Sequence, residues 1–182
     1  LDLLEDLSHI KYVAVEYGIE SAYDATLQRV NRGHDFQCAV EAVHKTKMRG
    51  LDVGAHFILG LPGESRDDIV RGVERINTLE LDFVKFHQLQ IYRGTAMERE
   101  YALHAEEFII SKSYTSDDYV ALICDILRHL RPSIAVERFI SQAPLRLLSF
   151  SPFGGVRIDE IRNRIVARMK ALGAVQGDLC RC

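Results

Sequence analysis

The chain has 182 residues, 47% of them hydrophobic and 27% charged, enough for one sizeable domain with its own core. A formal net charge of −3 and a pI near 6.2 exclude a global basic footprint for nucleic acid and leave only a local patch open. No run approaches ~18 uninterrupted apolar residues and no signal-like segment opens the chain, so the expectation is a soluble, cytosolic protein with no membrane partner.

The opening "LDLLEDLSHI" reads as the tail of a helix running straight into a strand, as if the chain entered the middle of a domain. "KYVAVEYG" (11–18) alternates, with Val13, Val15 and Tyr17 on one face and Ala14, Glu16 and Gly18 on the other, which predicts a strand over about 11–17. Ser21 and Asp24 have capping-box spacing for a helix ending before Gly33. A second helix is expected from about Asp35 to Gly50, with Phe36, Ala39, Val40 and Val43 on its apolar stripe. "DVGAHFIL" (52–59) is the next strand, and Ser65 with Asp68 opens another helix. "DFVKFHQLQIY" (82–92) reads as one long strand, 94–114 as less regular, and 116–130 as a helix stopped by Pro132. "IAVERFI" (134–140) suggests one more strand, and 157–171 a last amphipathic helix. Such β-α alternation predicts parallel strands covered by helices, as a doubly wound sheet or part of an α/β barrel.

Four cysteines, Cys38, Cys124, Cys180 and Cys182, are too scattered for a disulfide framework. Cys38 and Cys124 fall inside predicted helices as small apolar residues. Cys180 and Cys182 form a C-x-C pair whose plain reading is a frayed tail and whose alternative is metal or redox use. None of the four is assigned as a metal ligand.

The chemistry gathers on the strands. Glu16 is the polar residue of the first strand and His56 of the second, while Lys85 and His87 share a face of the third. The interior of a packed barrel holds Val, Ile and Leu. Several ionisable groups there cost several kcal/mol unless paired or hydrated. Three neighbouring strands with polar inner faces therefore favour a water-accessible, functional interior, with Glu16 and His87 as catalytic candidates. A lone strand histidine, by contrast, is more often a satisfied core residue. Glycines 18, 60, 63 and 94 all fall near predicted strand ends, where α/β folds bind ligands. Each is alternatively a plain turn residue. "GLPGES" (60–65) lacks the lysine of a Walker loop and is not G-x-G-x-x-G.

Taken in order, "EYGIESAYDATLQRVNRGHD" (16–35), "HFILGLPGES" (56–65) and "KFHQLQIYRGTAME" (85–98) resemble the C-terminal part of the radical S-adenosylmethionine (radical SAM) core. The likeness is to the branch of elongator-type and oxygen-independent coproporphyrinogen oxidase-like enzymes, and within it to bacterial Fe–S oxidoreductase-like proteins. It covers roughly residues 1–150, leaving 151–182 as a C-terminal helix and tail.

The implied fold is the C-terminal portion of a partial parallel βα barrel with a helical extension. The implied cofactor is S-adenosylmethionine. Glu20 and Ser21 would reach its ribose hydroxyls or methionine moiety. Arg32 would pair with its carboxylate, a geometry that suits a guanidinium, although Arg32 can also cap its own helix. His56 stands where some relatives carry an aspartate touching the ribose. Backbone at Gly60, Leu61, Pro62 and Gly63, and at Gln90, Ile91 and Tyr92, would hold adenine, with Tyr92 alternatively plain packing. Bare backbone where "GLPGES" ends its strand is then expected to meet the nucleoside.

The family's 4Fe–4S cluster needs three cysteines on one loop, C-x3-C-x2-C or a variant, and nothing here matches. The resemblance thus implies part of a longer enzyme, with cluster ligands outside this chain. That enzyme would reductively cleave S-adenosylmethionine to a 5′-deoxyadenosyl radical acting on an unnamed substrate, RNA modification being a family-level option. The exposed edge of the first strand offers a surface for association. The competing readings are a cluster-free SAM- or nucleotide-binding module, regulatory or structural, and an ordinary α/β-barrel enzyme using His56 or His87 as acid–base.

Overall fold

A computed structural model describes residues 1–111, 113–150, 152–153 and 156–181. In chain order the elements are α1 (Asp2–Ser8), β1 (Ala14–Glu20), α2 (Asp24–Arg29), α3 (Phe36–Lys47), β2 (Asp52–Leu59), α4 (Arg66–Asn77), β3 (Phe83–Gln88), β4 (Ile91–Tyr92), α5 (Ala96–Leu103), α6 (Ser116–His129), β5 (Ala135–Arg138), β6 (Leu148–Phe150) and α7 (Ile158–Ala171). Four strands form one parallel sheet in the order β1-β2-β3-β5, and β4 pairs antiparallel with β6. Parallel neighbours need crossovers, and α3, α4 and α6 lie between successive strands. No described helix is long and apolar enough to cross a membrane.

The period-2 pattern of the strands sorts their side chains. Val53, Ala55, Phe57, Leu59, Val84 and Phe86 are buried in one cluster with Val43 of α3, Val73 of α4, Ile123 of α6 and Ile165 of α7. Side chains that alternate with them, Glu16, His56, Lys85 and His87, occupy the opposite face. A βα-barrel arc, helices outside and polar residues within, accounts for this division. The C-terminal segment belongs to the same core, because Ile161 and Ile165 are almost fully buried against α6.

Several boundaries depart from expectation. β1 begins at Ala14, because the amides of Ile10 and Lys11 both bond Leu7 O and are tied to the end of α1. β1 also runs on to Glu20, so Gly18 lies inside the strand. Ser21 does not cap α2: its Oγ accepts from Tyr23 N at 3.0 Å, and Asp24 Oδ1 accepts from Phe36 N at 2.8 Å. Asp35, Ser65 and Thr115 do cap their helices, the last two with full capping boxes. The long strand over 82–92 splits after Gln88, and the stretch after it contains α5.

The C-terminal tail is docked, not frayed. Gly177 N donates to Leu127 O (3.0 Å), Leu179 N to Arg128 O (2.8 Å), and Arg128 Nε meets Asp178 Oδ1 at 3.0 Å. Cys180 is disulfide-bonded, while Cys182 lies outside the described residues.

Candidate functional site

The inner face of the sheet is organised by one carboxylate. In the register, Gly18 stands opposite His56, His56 opposite Lys85, and Ile58 opposite His87. Glu16, two residues before Gly18, is thereby placed diagonally from His56. Its Oε2 is bonded to His56 Nε2, and Lys85 Nζ reaches both of its oxygens at 2.5 Å. Lys85 also approaches Glu137 at 3.4 Å. The Lys85 ammonium, then His56, hold the Glu16 carboxyl below the usual carboxylate range. The His56 ring stacks on His87, centroids 5.2 Å apart. His87 is pushed down to about 4 by burial first, then by the positive fields of His56, Arg138 and Lys85. Its Nε2 is buried without a hydrogen-bond partner. His87 is neutral at physiological pH.

At the C-terminal ends of these strands opens a cavity of about 350 Å³. Its walls include Glu20, His56, Ile58, His87, Gln90 and Tyr92. Glu20 reaches it through a bulge: residue 20 adopts φ +72° where the register shifts between Gly18 and Glu20. A Cβ on Gly18 would stand 2.5 Å from Glu20 Oε1 and 2.9 Å from Arg32 Nη2, so glycine there lets both side chains close over the strand. Arg32 Nη2 donates to Gly18 O at 2.6 Å and lies 3.9 Å from Glu20. Burial raises the Glu20 carboxyl's pKa, and Arg32 opposes that shift.

Five residues singled out in the sequence, Glu20, His56, His87, Gln90 and Tyr92, are thus brought to one cavity, with Arg32 beside it. The others are placed differently. Ser21 is buried and donates to the equally buried Glu64, whose carboxyl is raised by desolvation. Gly60, Leu61 and Pro62 are buried, and Gly63 N donates to Glu107 O at 3.0 Å. Gly60 has φ +89°, and a Cβ there would come within 2.5 Å of Ile110 Cδ1. The strand thus ends on a glycine against which Ile110 packs. Ile91 is buried in a separate apolar cluster with Leu61, Leu89, Phe108 and Ile110.

Gln88, Ser141, Glu64 and Ile58 were missed. Gln88 belongs by alternation to the helix side, yet its Nε2 donates to Ser141 O (2.7 Å) and its Oε1 accepts from Ser141 N (3.0 Å). That pair closes the cavity wall, and no local pattern announces it. Ile58 shares the His56 face, so alternation alone identifies its position.

Two other features lie away from this chemistry. A larger cavity, about 600 Å³, lies beside α5 and β6; its only charged wall residue among the described residues, Glu98, accepts from Gly94 N at 2.6 Å. His104, Glu106 and Glu107 form an exposed group of three ligand-type side chains, but Arg29 already engages Glu107.

Residues 1–76 match the Radical SAM superfamily and residues 81–171 the Radical SAM C-terminal domain. The chain belongs to the radical SAM superfamily. It is 33% identical over 177 residues to the uncharacterized protein YtqA of Bacillus subtilis, covering 97% of this chain and 53% of that one. It is 30% identical over 173 residues to human Elongator complex protein 3, covering 93% of this chain and 30% of that one. In three dimensions it resembles the archaeal Methanocaldococcus infernus Elp3 with an N-terminal deletion, at TM-score 0.77 and 19% identity over 96% of this chain and 40% of the other. That likeness shows the radical SAM fold. The chain spans about half the length of YtqA.

The superfamily in general uses S-adenosylmethionine and a 4Fe–4S cluster. The described residues do not fit a cluster, because Cys38 is exposed on α3, Cys124 is buried in α6, and Cys180 is disulfide-bonded. They do fit S-adenosylmethionine: the cavity combines hydrogen-bonding groups with the apolar Ile58 and Leu89.

Proposed function

We propose that this chain forms the S-adenosylmethionine-binding face of a radical SAM enzyme, with cluster ligands supplied elsewhere in a longer protein. One observation carries the reading: the cavity at the strand ends gathers Glu20, His56, His87, Gln90 and Tyr92, with Arg32 held against Glu20. When bound, S-adenosylmethionine reduced at the cluster supplies a 5′-deoxyadenosyl radical that abstracts hydrogen from a substrate. This chain's residues bind and orient. Arg32 offers a guanidinium to the amino-acid carboxylate, Glu20 and His56 face the ribose, and Ile58 and Tyr92 offer surface to the base. His87, kept neutral, adds no positive charge beside a sulfonium cation. Glu16 is spent on Lys85 and His56, so its part is support, not direct attack on substrate.

The thiol placement also favours a second reading, a cluster-free SAM- or nucleotide-binding module. RNA modification is an option that the family resemblance implies, and the edge of β1 opposite β2 is a surface through which further strands would join. Calorimetry of S-adenosylmethionine binding to the longer protein tests the site. Arg32→Ala should weaken binding about 10- to 100-fold, or roughly 1.5–3 kcal/mol, the scale of a charge-assisted bond. No binding by the wild type would overturn the site, and unchanged affinity in the variant would leave Arg32 as a strand–helix tie through Gly18 O.

A further inference from the structure

Several of the donors around the cavity are engaged inside the protein, although Arg32 Nε is buried without a hydrogen-bond partner. Lys85 Nζ is taken by Glu16 and Glu137. Arg32 Nη2 is taken by Gly18 O, and the amide nitrogens of Gln88 and Gln90 both go to Ser141 O, at 2.7 and 3.2 Å. His56 Nε2 is taken by Glu16. The hydroxyls of Tyr92 and Ser141 can turn either way. Acceptors also stand at the cavity: the Glu20 carboxylate, Gln90 Oε1 and, in the neutral imidazole, one nitrogen of His56.

That last assignment depends on Glu16. A carboxylate can only accept, and Lys85 keeps Glu16 ionised, so the hydrogen between Glu16 and His56 resides on Nε2. In the neutral imidazole the lone pair then sits on Nδ1, which has no partner among the described residues. We infer that Glu16 is a positioning residue that fixes His56 as the Nε2–H tautomer, making Nδ1 an acceptor for a ligand hydroxyl in the cavity. This rests on the reading of the cavity as a nucleoside site, and the hydroxyl-bearing group is then a ribose. Histidine backed by a carboxylate reproduces the polarity of a direct carboxylate acceptor without another negative charge beside Glu20.

The variant Glu16→Gln inverts the polarity with little change of shape. Lys85 has only donors, so it keeps the amide oxygen, and the amide nitrogen is left to donate to His56 Nε2. Neutral His56 must then carry its hydrogen on Nδ1. Two measurements read this in the longer protein. Nitrogen-15 chemical shifts of labelled histidines should show the Nε2–H tautomer of His56 in the wild type and Nδ1–H in Glu16→Gln. Calorimetry should show Glu16→Gln binding adenosine about three- to tenfold more weakly than the wild type, while 2′,3′-dideoxyadenosine binds both equally. An Nδ1–H tautomer in the wild type, which needs no variant to fold, would overturn the inference, as would equal losses for both nucleosides. Failure of the wild type to bind S-adenosylmethionine or adenosine would instead overturn the nucleoside site itself, and the ribose contact with it.

Discussion

Replacing His87 by Gln should flatten the acid side of the stability profile. His87 titrates near 4 in the fold against 6.5 for an ordinary imidazole, so between those values the unfolded chain binds the extra proton. Stability is therefore complete above about pH 6.5 and is lost as the pH falls toward 4. At pH 5 the linkage relation gives about 2 kcal/mol for the full shift, and partial exposure of the ring reduces this to about 1 kcal/mol. The cause is local: protonation would place a charge on a buried, unpartnered Nε2 facing His56, Lys85 and Arg138.

The choice of pH 5 separates this group from its neighbours. Glu16, whose pKa is depressed, contributes stability that is lost only below the ordinary carboxylate range. Glu20 and Glu64, whose pKa values are raised, act in the opposite sense and gain stability on acidification. Those terms are common to both proteins and cancel in the difference. Urea denaturation at pH 7 and pH 5 should show the wild type losing about 1 kcal/mol more than His87→Gln. Equal losses would refute the neutral, desolvated His87.

Gly60→Ala should destabilise the fold by about 2–3 kcal/mol in urea, combining strain at φ +89° with overlap on Ile110, and Ile110→Ala should recover the overlap part; an unchanged midpoint would reopen that backbone to a ligand. Anaerobic reconstitution of the 182-residue chain with iron and sulfide should give no stoichiometric 4Fe–4S absorbance and no 5′-deoxyadenosine under reductant, since Cys124 is buried in α6, Cys180 is disulfide-bonded and Cys38 stands on α3. A full cluster spectrum with cleavage would relocate the cluster to this chain.

The inner face was legible because alternation is a local property: Glu16, His56 and His87 each follow from neighbours two residues away. Strand order was legible because crossover helices tie successive parallel strands together. What escaped depends on contacts between distant segments. The Gln88–Ser141 pair joins residues 53 apart, and nothing near Gln88 marks it. The packing of Ile110 on Gly60 likewise joins distant segments, so no sequence neighbour of Gly60 marks it. Ser21 had capping-box spacing, but Glu64, 43 residues on, claimed its hydroxyl. The start of β1 failed for a related reason, since the alternation of 11–13 was real but the end of α1 held their backbone.

Electrostatics link the shape of the site to the kind of ligand it can take. Lys85 and Glu16 neutralise each other on the inner face of the sheet, and His56 is drawn into that pair through one nitrogen. The same ammonium, with Arg138 and His56, keeps His87 uncharged. The strand ends are left with Glu20 against Arg32 and with acceptors turned outward. A lysine in place of Ile58 or Tyr92 would put a cation into the cavity, and the acceptors would then be bound by the protein itself. Pairing Lys85 with Glu16 within the sheet is what leaves this face with acceptors for a ligand that brings its own hydroxyls.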